Sequence, residues 1–202
     1  GAGADGVGVD RGQWIVDSYF TCSLLLSTYH CPLFTYMTAP IEIVEAELSR
    51  EDHQRDVVAM IDAYARDPMG NNGPLPDAVY ARMIDGLRAT PTALVYLAYA
   101  GREAIGIATC FIGFSTFYAQ PLINIHDLSI VPGFRGQGAG RLLLGAIERK
   151  ARSLGCCKIT LEVLADNERA RRIYEQAGFG GAVYGGNTNG TLFYAKILSE
   201  HD

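Results

Sequence analysis

"HDLSIVPGFRGQGAGRLLL", residues 126–144, sets an apolar strand-like run against four glycines at 133, 136, 138 and 140 and then an apolar stretch at helical spacing. Glycine loses more backbone freedom on folding than any other residue, so a turn this rich in it indicates positive φ or a close approach to the main chain. A strand that ends in such a turn and opens directly into a helix presents unpaired N–H groups at the positive end of a helix dipole, which is a ready phosphate site. Spacing narrows the choice. A P-loop needs Gly-Lys-Ser/Thr, whereas Gly140 is followed by Arg141 and Leu142. The dinucleotide pattern G-x-G-x-x-G would need Gly at 141, where Arg stands.

The elements on either side of the turn alternate strand and helix. "IEIVEAEL" from Ile41 reads as a strand. Ser49 with Asp52 resembles a capping box, and Val57, Val58, Ile61 and Tyr64 follow at helical spacing. "RDPMGNNGPLP" breaks that helix, and a second places Val79, Met83 and Leu87 on one face. "TALVYLAYAGREAIGIATCFIGF" reads as two strands joined by a short turn, and "LINIHDLSIV" as a third. Residues 141–154 put Leu143, Ile147, Ala151 and Leu154 on one stripe, with Gly155 suited to ending the helix. "CKITLEVL" alternates, with Ile159, Leu161 and Val163 facing one way. Asn167 can cap a helix carrying Ala170, Ile173, Tyr174 and Ala177, and a hairpin with an Asn189-Gly190 turn closes the chain. The predicted order is β-α-α-β-β-β-α-β-α-β-β, an α/β domain with a mixed sheet.

Composition bounds what such a domain does. The chain has 202 residues, 49% hydrophobic and 19% charged, which is a globular composition. Its formal net charge of −5 argues against a nucleic-acid partner, because phosphate binding needs clustered Lys and Arg, and no stretch has the apolar length of a membrane span. Five cysteines, at 22, 31, 110, 156 and 157, show no C-x-x-C spacing and read as reduced thiols in a cytoplasmic protein. Four scattered histidines, at 30, 53, 126 and 201, make a metal site unexpected. The first forty residues differ from the rest: Gly-rich at the start, then apolar without a period. Met37 followed by "TAPIEIVEAEL" reads like a start, so residues 1–40 are expected to be an N-terminal extension, either upstream sequence or an added arm, and 41–202 a single domain.

Arg135-x-x-Gly138-x-Gly140, preceded by "LSIVPGF" and followed by "RLLL", resembles the acetyl-coenzyme A signature of the GNAT N-acetyltransferase superfamily. "NERARRIYEQAGF" at 167–179 resembles that superfamily's Asn-x-x-Ala-x-x-x-Tyr-x-x-x-Gly-Phe block. Singly, each glycine is an ordinary turn residue and Tyr174 an ordinary core aromatic. In this order, strand, turn, helix, strand and Asn-capped helix, they point to one fold: the GNAT fold, a mostly antiparallel sheet of about seven strands flanked by about four helices.

The resemblance implies acetyl-CoA as cosubstrate, with its pyrophosphate on the backbone of Gly136, Gln137, Gly138, Ala139, Gly140 and Arg141 and added charge from Arg135 and Arg141. It implies main-chain bonds from Leu128, Ser129 and Ile130 to the pantetheine arm, with the Ile130 N–H as an oxyanion donor, and Asn167, Arg169 and Ala170 across the cleft. Transfer to an amine needs a base and an acid. Tyr174 matches the family's general acid, since a phenol of pKa about 10 can donate to a thiolate whose conjugate acid lies at about 8.5. An imidazole can accept a proton directly or through water, so His126, next to Asp127, is the expected base, with Glu162 in reserve. The closest subgroup by resemblance is the spermidine/spermine type, which shares the "GFSTF"-like strand end and an acidic pair at 126 and 127; His126 replaces the first acid here. The acceptor, a small-molecule or peptide amine, is expected to meet Asp67, Asn71 and Asn72 in "RDPMGNNGPL" and Asp127. Cys157 as a covalent acetyl carrier is a weaker variant, and a non-catalytic coenzyme A-binding module is the non-enzymatic one. The superfamily also allows a homodimer, through the terminal hairpin or the apolar leader.

Overall fold

The computed structural model describes residues 40–182 and 190–198; the expected leader and the Asn189 half of the terminal turn lie outside them. Within that range the element order is the one read from the sequence. Strand β1 (Ile41–Glu45) leads to helices α1 (Glu51–Ala65) and α2 (Asp77–Ala89), and then to β2 (Ala93–Ala100), β3 (Glu103–Ser115) and β4 (Gln120–Ile130). A 3-10 turn at Pro132–Phe134 precedes α3 (Ala139–Ser153), followed by β5 (Lys158–Leu164), α4 (Glu168–Gln176), β6 (Gly180–Ala182) and β7 (Thr191–Ile197).

The strands form one seven-stranded sheet in the order β1-β2-β3-β4-β5-β7-β6. Every neighbouring pair is antiparallel except β4 and β5, whose parallel pairing uses α3 as the crossover. Strand alternation separates two apolar layers. Ala108 and Cys110 of β3 join Ile123, Ile125, Ile159, Leu161 and the buried face of α3 in the larger core, which also takes in Tyr174 and Phe179. Ile107 of β3 turns the other way and packs with Val95, Leu97 and Val57 of α1 under Ile84 and Leu87 of α2.

Several local expectations need correction. Ser49 does not cap α1: the N-cap is Arg50, without a side-chain cap bond, and the Asp52 carboxylate accepts from the Arg50 guanidinium instead. Ion pairing outcompetes capping because the two side chains meet directly at the helix start. On α2 the packed residues are Ile84 and Leu87, while Val79 stands exposed. On α3 the buried residue beside Leu143 is Leu144, and Leu154 lies past the last turn and is exposed. Gly155 does end that helix in the left-handed region, with φ +67°.

Candidate active site

The deciding geometry is a parting of two strands. β4 and β5 pair only from Leu122 with Lys158 to Ile125 with Leu161. Beyond that rung β4 stays with β3 as far as Ile130 and β5 stays with β7 as far as Leu164, so a wedge opens between them. The β3–β4 register shifts at the same level, Thr109 facing Asp127 while Cys110 faces Ile125, which leaves His126 as the extra residue of a β-bulge. The bulge bends β4 away from β5.

The wedge opens into a cavity of about 580 Å³. Val131 donates its N–H to Ile105 on the β3 side at 2.9 Å, so strand alternation turns the Ile130 N–H toward the wedge. At the end of β4 the chain makes the glycine turn. Gly136 and Gly138 have φ of +85° and +93°, a conformation that costs other L-residues about 1–2 kcal/mol. Gly133 and Gly140 have ordinary φ, and a Cβ at either would meet nothing within 4 Å. Gly138 is the N-cap of α3 and no side chain caps that end, so the first helical N–H groups point into the opening.

Across the wedge, the Asn167 side chain accepts from the Ala170 N–H at 3.1 Å and caps α4 as expected. That cap aims Arg169 back at the glycine turn: its guanidinium lies 3.9 Å from where a Cβ on Gly136 would sit. Arg141 donates to Gln176 on α4 at 3.3 Å, a second tie across the opening.

Tyr174 is 7% exposed at the floor of the cavity. Burial, with a smaller push from Tyr64, raises its phenol to about 12. Tyr64 is itself raised by burial and by the Asp127 and Asp67 carboxylates. His126 lines the cavity as an exposed ring, edge-on to Phe111 at 5.8 Å, and Glu162 lines it from β5, also exposed. Burial pushes the Asp127 carboxyl above the usual carboxylate range, against the opposing pull of His126. Opposite Asp127, the Thr109 hydroxyl is buried without a hydrogen-bond partner.

Most expected site residues therefore converge. Tyr174, His126, Glu162, Leu128, Ser129, Ile130, Arg135, Gly136, Gly138, Ala139, Gly140, Arg141, Asn167, Arg169, Ala170 and Asp67 all line the one cavity. Gln137 does not; it folds back to donate to the Gly133 carbonyl at 3.1 Å. Asn71, Asn72 and Asp127 also lie outside the lining. Cys157 is fully buried and outside it too. Sequence reasoning missed Tyr64, Phe134, Ile173 and Gln176 in the wall. A polar aromatic in the last turn before the α1–α2 loop was the available signal for Tyr64, which reads equally well as a core residue.

The Acetyltransferase (GNAT) family model matches residues 56–179, more than half of the chain. The chain belongs to the GNAT acetyltransferase family. The matched span of this GNAT chain runs from α1 through the glycine turn to Phe179, and so contains the wedge, the turn and Tyr174. A curated relative, the uncharacterized N-acetyltransferase YycN of Bacillus subtilis (strain 168), is 42% identical over 55 residues, 27% of this chain and 35% of its own. The GNAT chain thus aligns with only about a third of that relative. Among solved structures, a transcriptional regulator from Bacillus halodurans C-125 superposes with a TM-score of 0.62 at 25% identity, covering 73% of this chain and 98% of its own. A NatC complex bound to Gag peptide and CoA superposes with a TM-score of 0.60 at 20% identity, covering 79% and 99%, a likeness of GNAT fold alone. Among the described residues no helix is long and apolar enough to cross a membrane, and no three His, Cys, Asp or Glu side chains group as metal ligands.

Proposed function

We propose that the protein is an acetyl-CoA-dependent N-acetyltransferase that transfers acetyl directly to a primary amine of a small molecule, amino acid or peptide. The observation that carries this reading is that one cavity holds both the open N-terminus of α3 at Gly136–Gly138 and the buried phenol of Tyr174, on either side of the β4–β5 wedge. The turn suits a pyrophosphate through its free N–H groups, with Arg141 and Arg169 supplying charge. The wedge suits an extended pantetheine arm along Leu128, Ser129 and Ile130. The Ile130 N–H, on the wedge side of β4, is the donor proposed to polarise the thioester carbonyl.

In the proposed step the amine nitrogen attacks the thioester carbon, the C–N bond forms and the C–S bond breaks. The nitrogen proton passes to His126, directly or through water, with Glu162 as the other candidate base at the same opening. The departing thiolate takes the Tyr174 proton. His126 and Glu162 are exposed at the mouth, where a proton can leave to solvent, and Tyr174 is buried at the floor, where it is kept protonated. Glu162, exposed in the cavity wall, gives that side of the opening negative potential suited to an ammonium. The bound peptide in the NatC structure makes a peptide amine one of the acceptors to try. The buried thiols of Cys110 and Cys156 fit a reducing compartment such as the cytoplasm.

The test is acetyl-CoA turnover against a panel of small amines, amino acids and peptides, followed as free thiol. Release with at least one amine, abolished in Tyr174→Phe, is the expected result. Tight coenzyme A binding with no release against any amine, and no effect of Tyr174→Phe, would replace the enzyme with a coenzyme A-binding module.

A further inference from the structure

The guanidinium of Arg135, the first residue of the signature turn, is engaged within the protein although the residue lines the cavity. Arg135 donates Nε to the Ile130 carbonyl at 2.8 Å and Nη2 to the Asp67 carboxylate. Asp67 is 8% exposed and lies just past the end of α1. Burial alone would raise its carboxyl; the bonds from Arg135 and from the Met69 N–H outweigh that and hold it below the usual range.

Asp67 is also the centre about which the α1–α2 loop is folded. Its Oδ1 accepts from Met69 N–H at 2.9 Å, and its carbonyl accepts from Gly70 at 2.8 Å and Asn72 at 3.3 Å. Asn71 and Gly73 both donate to the Ala65 carbonyl, at 3.0 and 3.1 Å. Any side chain at Gly70 would meet the Tyr64 carbonyl at 2.1 Å, so the loop lies tight on the helix end. Two wall residues come from this segment: Tyr64 from the last turn of α1, facing Tyr174, and Met69 from the loop. Among the described residues, Arg135 is the cationic side chain that pairs with Asp67.

We propose that Arg135 is a positioning residue: paired with Asp67, it ties the glycine turn to the α1–α2 wall, so that a ligand settling on the turn also orders the wall. A guanidinium suits this role because its planar fork reaches the carboxylate and the carbonyl from two different nitrogens held in fixed relative geometry. The pair also commits the charge of Asp67, leaving Glu162 as the exposed acidic group in the cavity wall. Coenzyme A as the ligand that settles on the turn rests on the proposed function; the Arg135–Asp67 pairing does not.

Hydrogen exchange by mass spectrometry on the full chain, with and without coenzyme A, tests the pair. In the wild type, coenzyme A is expected to slow exchange both at residues 136–142 and at residues 68–73. Arg135→Gln and Asp67→Asn should each speed exchange at 68–73 by about tenfold, the size expected for losing a hydrogen bond to a charged group. Asn at 67 still accepts from Met69, so that variant removes the pairing and keeps the turn. Both variants should lose the coenzyme A protection at 68–73 while keeping it at 136–142. The double variant should be no worse than either single one, and Arg135→Lys should recover part of the effect. Loop protection by coenzyme A that persists in both variants would overturn the proposal. So would coenzyme A affinity, measured by calorimetry, falling more than tenfold in Arg135→Gln and not in Asp67→Asn, the mark of a direct phosphate ligand. Neither readout needs an amine, so failure of the amine panel leaves the pairing standing, and failure of the pairing leaves turnover untouched.

Discussion

Tyr174 combines two properties that the proposed chemistry needs together: it reaches the cavity and it is too buried to ionise near neutral pH. Its phenol stands at about 12 through burial and the neighbouring Tyr64. As an acid it is therefore in its working form throughout the usual assay range. Tyr174→Phe is expected to lower kcat by about a hundredfold or more while leaving coenzyme A affinity and thermal stability close to wild type, because the change removes the hydroxyl and keeps the buried ring. The wild-type pH–rate profile should show no falling alkaline limb from this group below about pH 11. A rate that climbs towards pH 12 would mean that the tyrosinate acts, as a base, and would reverse the assignment. Tyr174 was readable in the sequence because its spacing from Asn167 is local, one helix long. The contacts that raise it are not: Tyr64 reaches it from α1, at the other side of the sheet order.

At the scale of elements, the glycine turn separates conformation from space. Gly138 needs positive φ and Gly140 does not, although both line the cavity. Gly138→Ala is expected to destabilise the fold by about 1–2 kcal/mol, from left-handed strain alone, and to weaken coenzyme A binding as well. Gly140→Ala sits in the first turn of α3 with ordinary φ, so it should raise the melting temperature through helix propensity while still weakening coenzyme A by placing a methyl in the opening. Parallel melting curves and calorimetry check both. If Gly140→Ala leaves coenzyme A affinity unchanged, the ligand does not approach this side of the turn. The pattern of Gly, apolar run and helix was legible from residues 126–144 alone. Which glycines bend the chain and which leave room was not, because φ depends on where β4 ends and α3 begins, and α3 begins at Ala139, two residues before the sequence reading places it.

For the whole molecule, the stacking of helices on both faces of the sheet buries tyrosines against carboxylates. Burial raises Tyr96, with Glu45 adding to the effect, and raises Tyr99, with Asp56 adding to it. The unfolded chain releases its phenol protons at about pH 10, while the folded chain keeps those of Tyr96, Tyr99 and Tyr174 to higher pH. The folded state then binds more protons than the unfolded one, so the phenols' share of stability is fully present below about pH 10 and falls as pH rises through 12, where Tyr174 ionises in place. Denaturant midpoints from pH 8 to pH 11.5 should begin to decline at about pH 9, because burial raises the Cys110 thiol to about 12, and fall more steeply above pH 10, and tyrosinate absorbance should appear in part only with unfolding. A full tyrosinate signal at pH 10.5 with the midpoint unchanged would show these phenols to be accessible.

The sequence by itself determined the order of elements, the glycine turn after a strand, the Asn-capped helix and its tyrosine, and through them the family. All of these rest on spacings within a single strand, turn or helix, where side chain and backbone geometry are set by near neighbours. Only the tertiary structure decided which charges are free. Asp67 and Arg135 lie 68 positions apart, and each reads as a ligand-binding residue until the fold brings them together. The same holds for the bulge at His126, which exists only in the register of β4 against β3, and for the wedge at the end of the "HDLSIVPGFRGQGAGRLLL" strand, which exists because β5 leaves β4 at Ile125 to follow β7. Pairing between distant segments is a property of the assembled sheet, and the site is built from it.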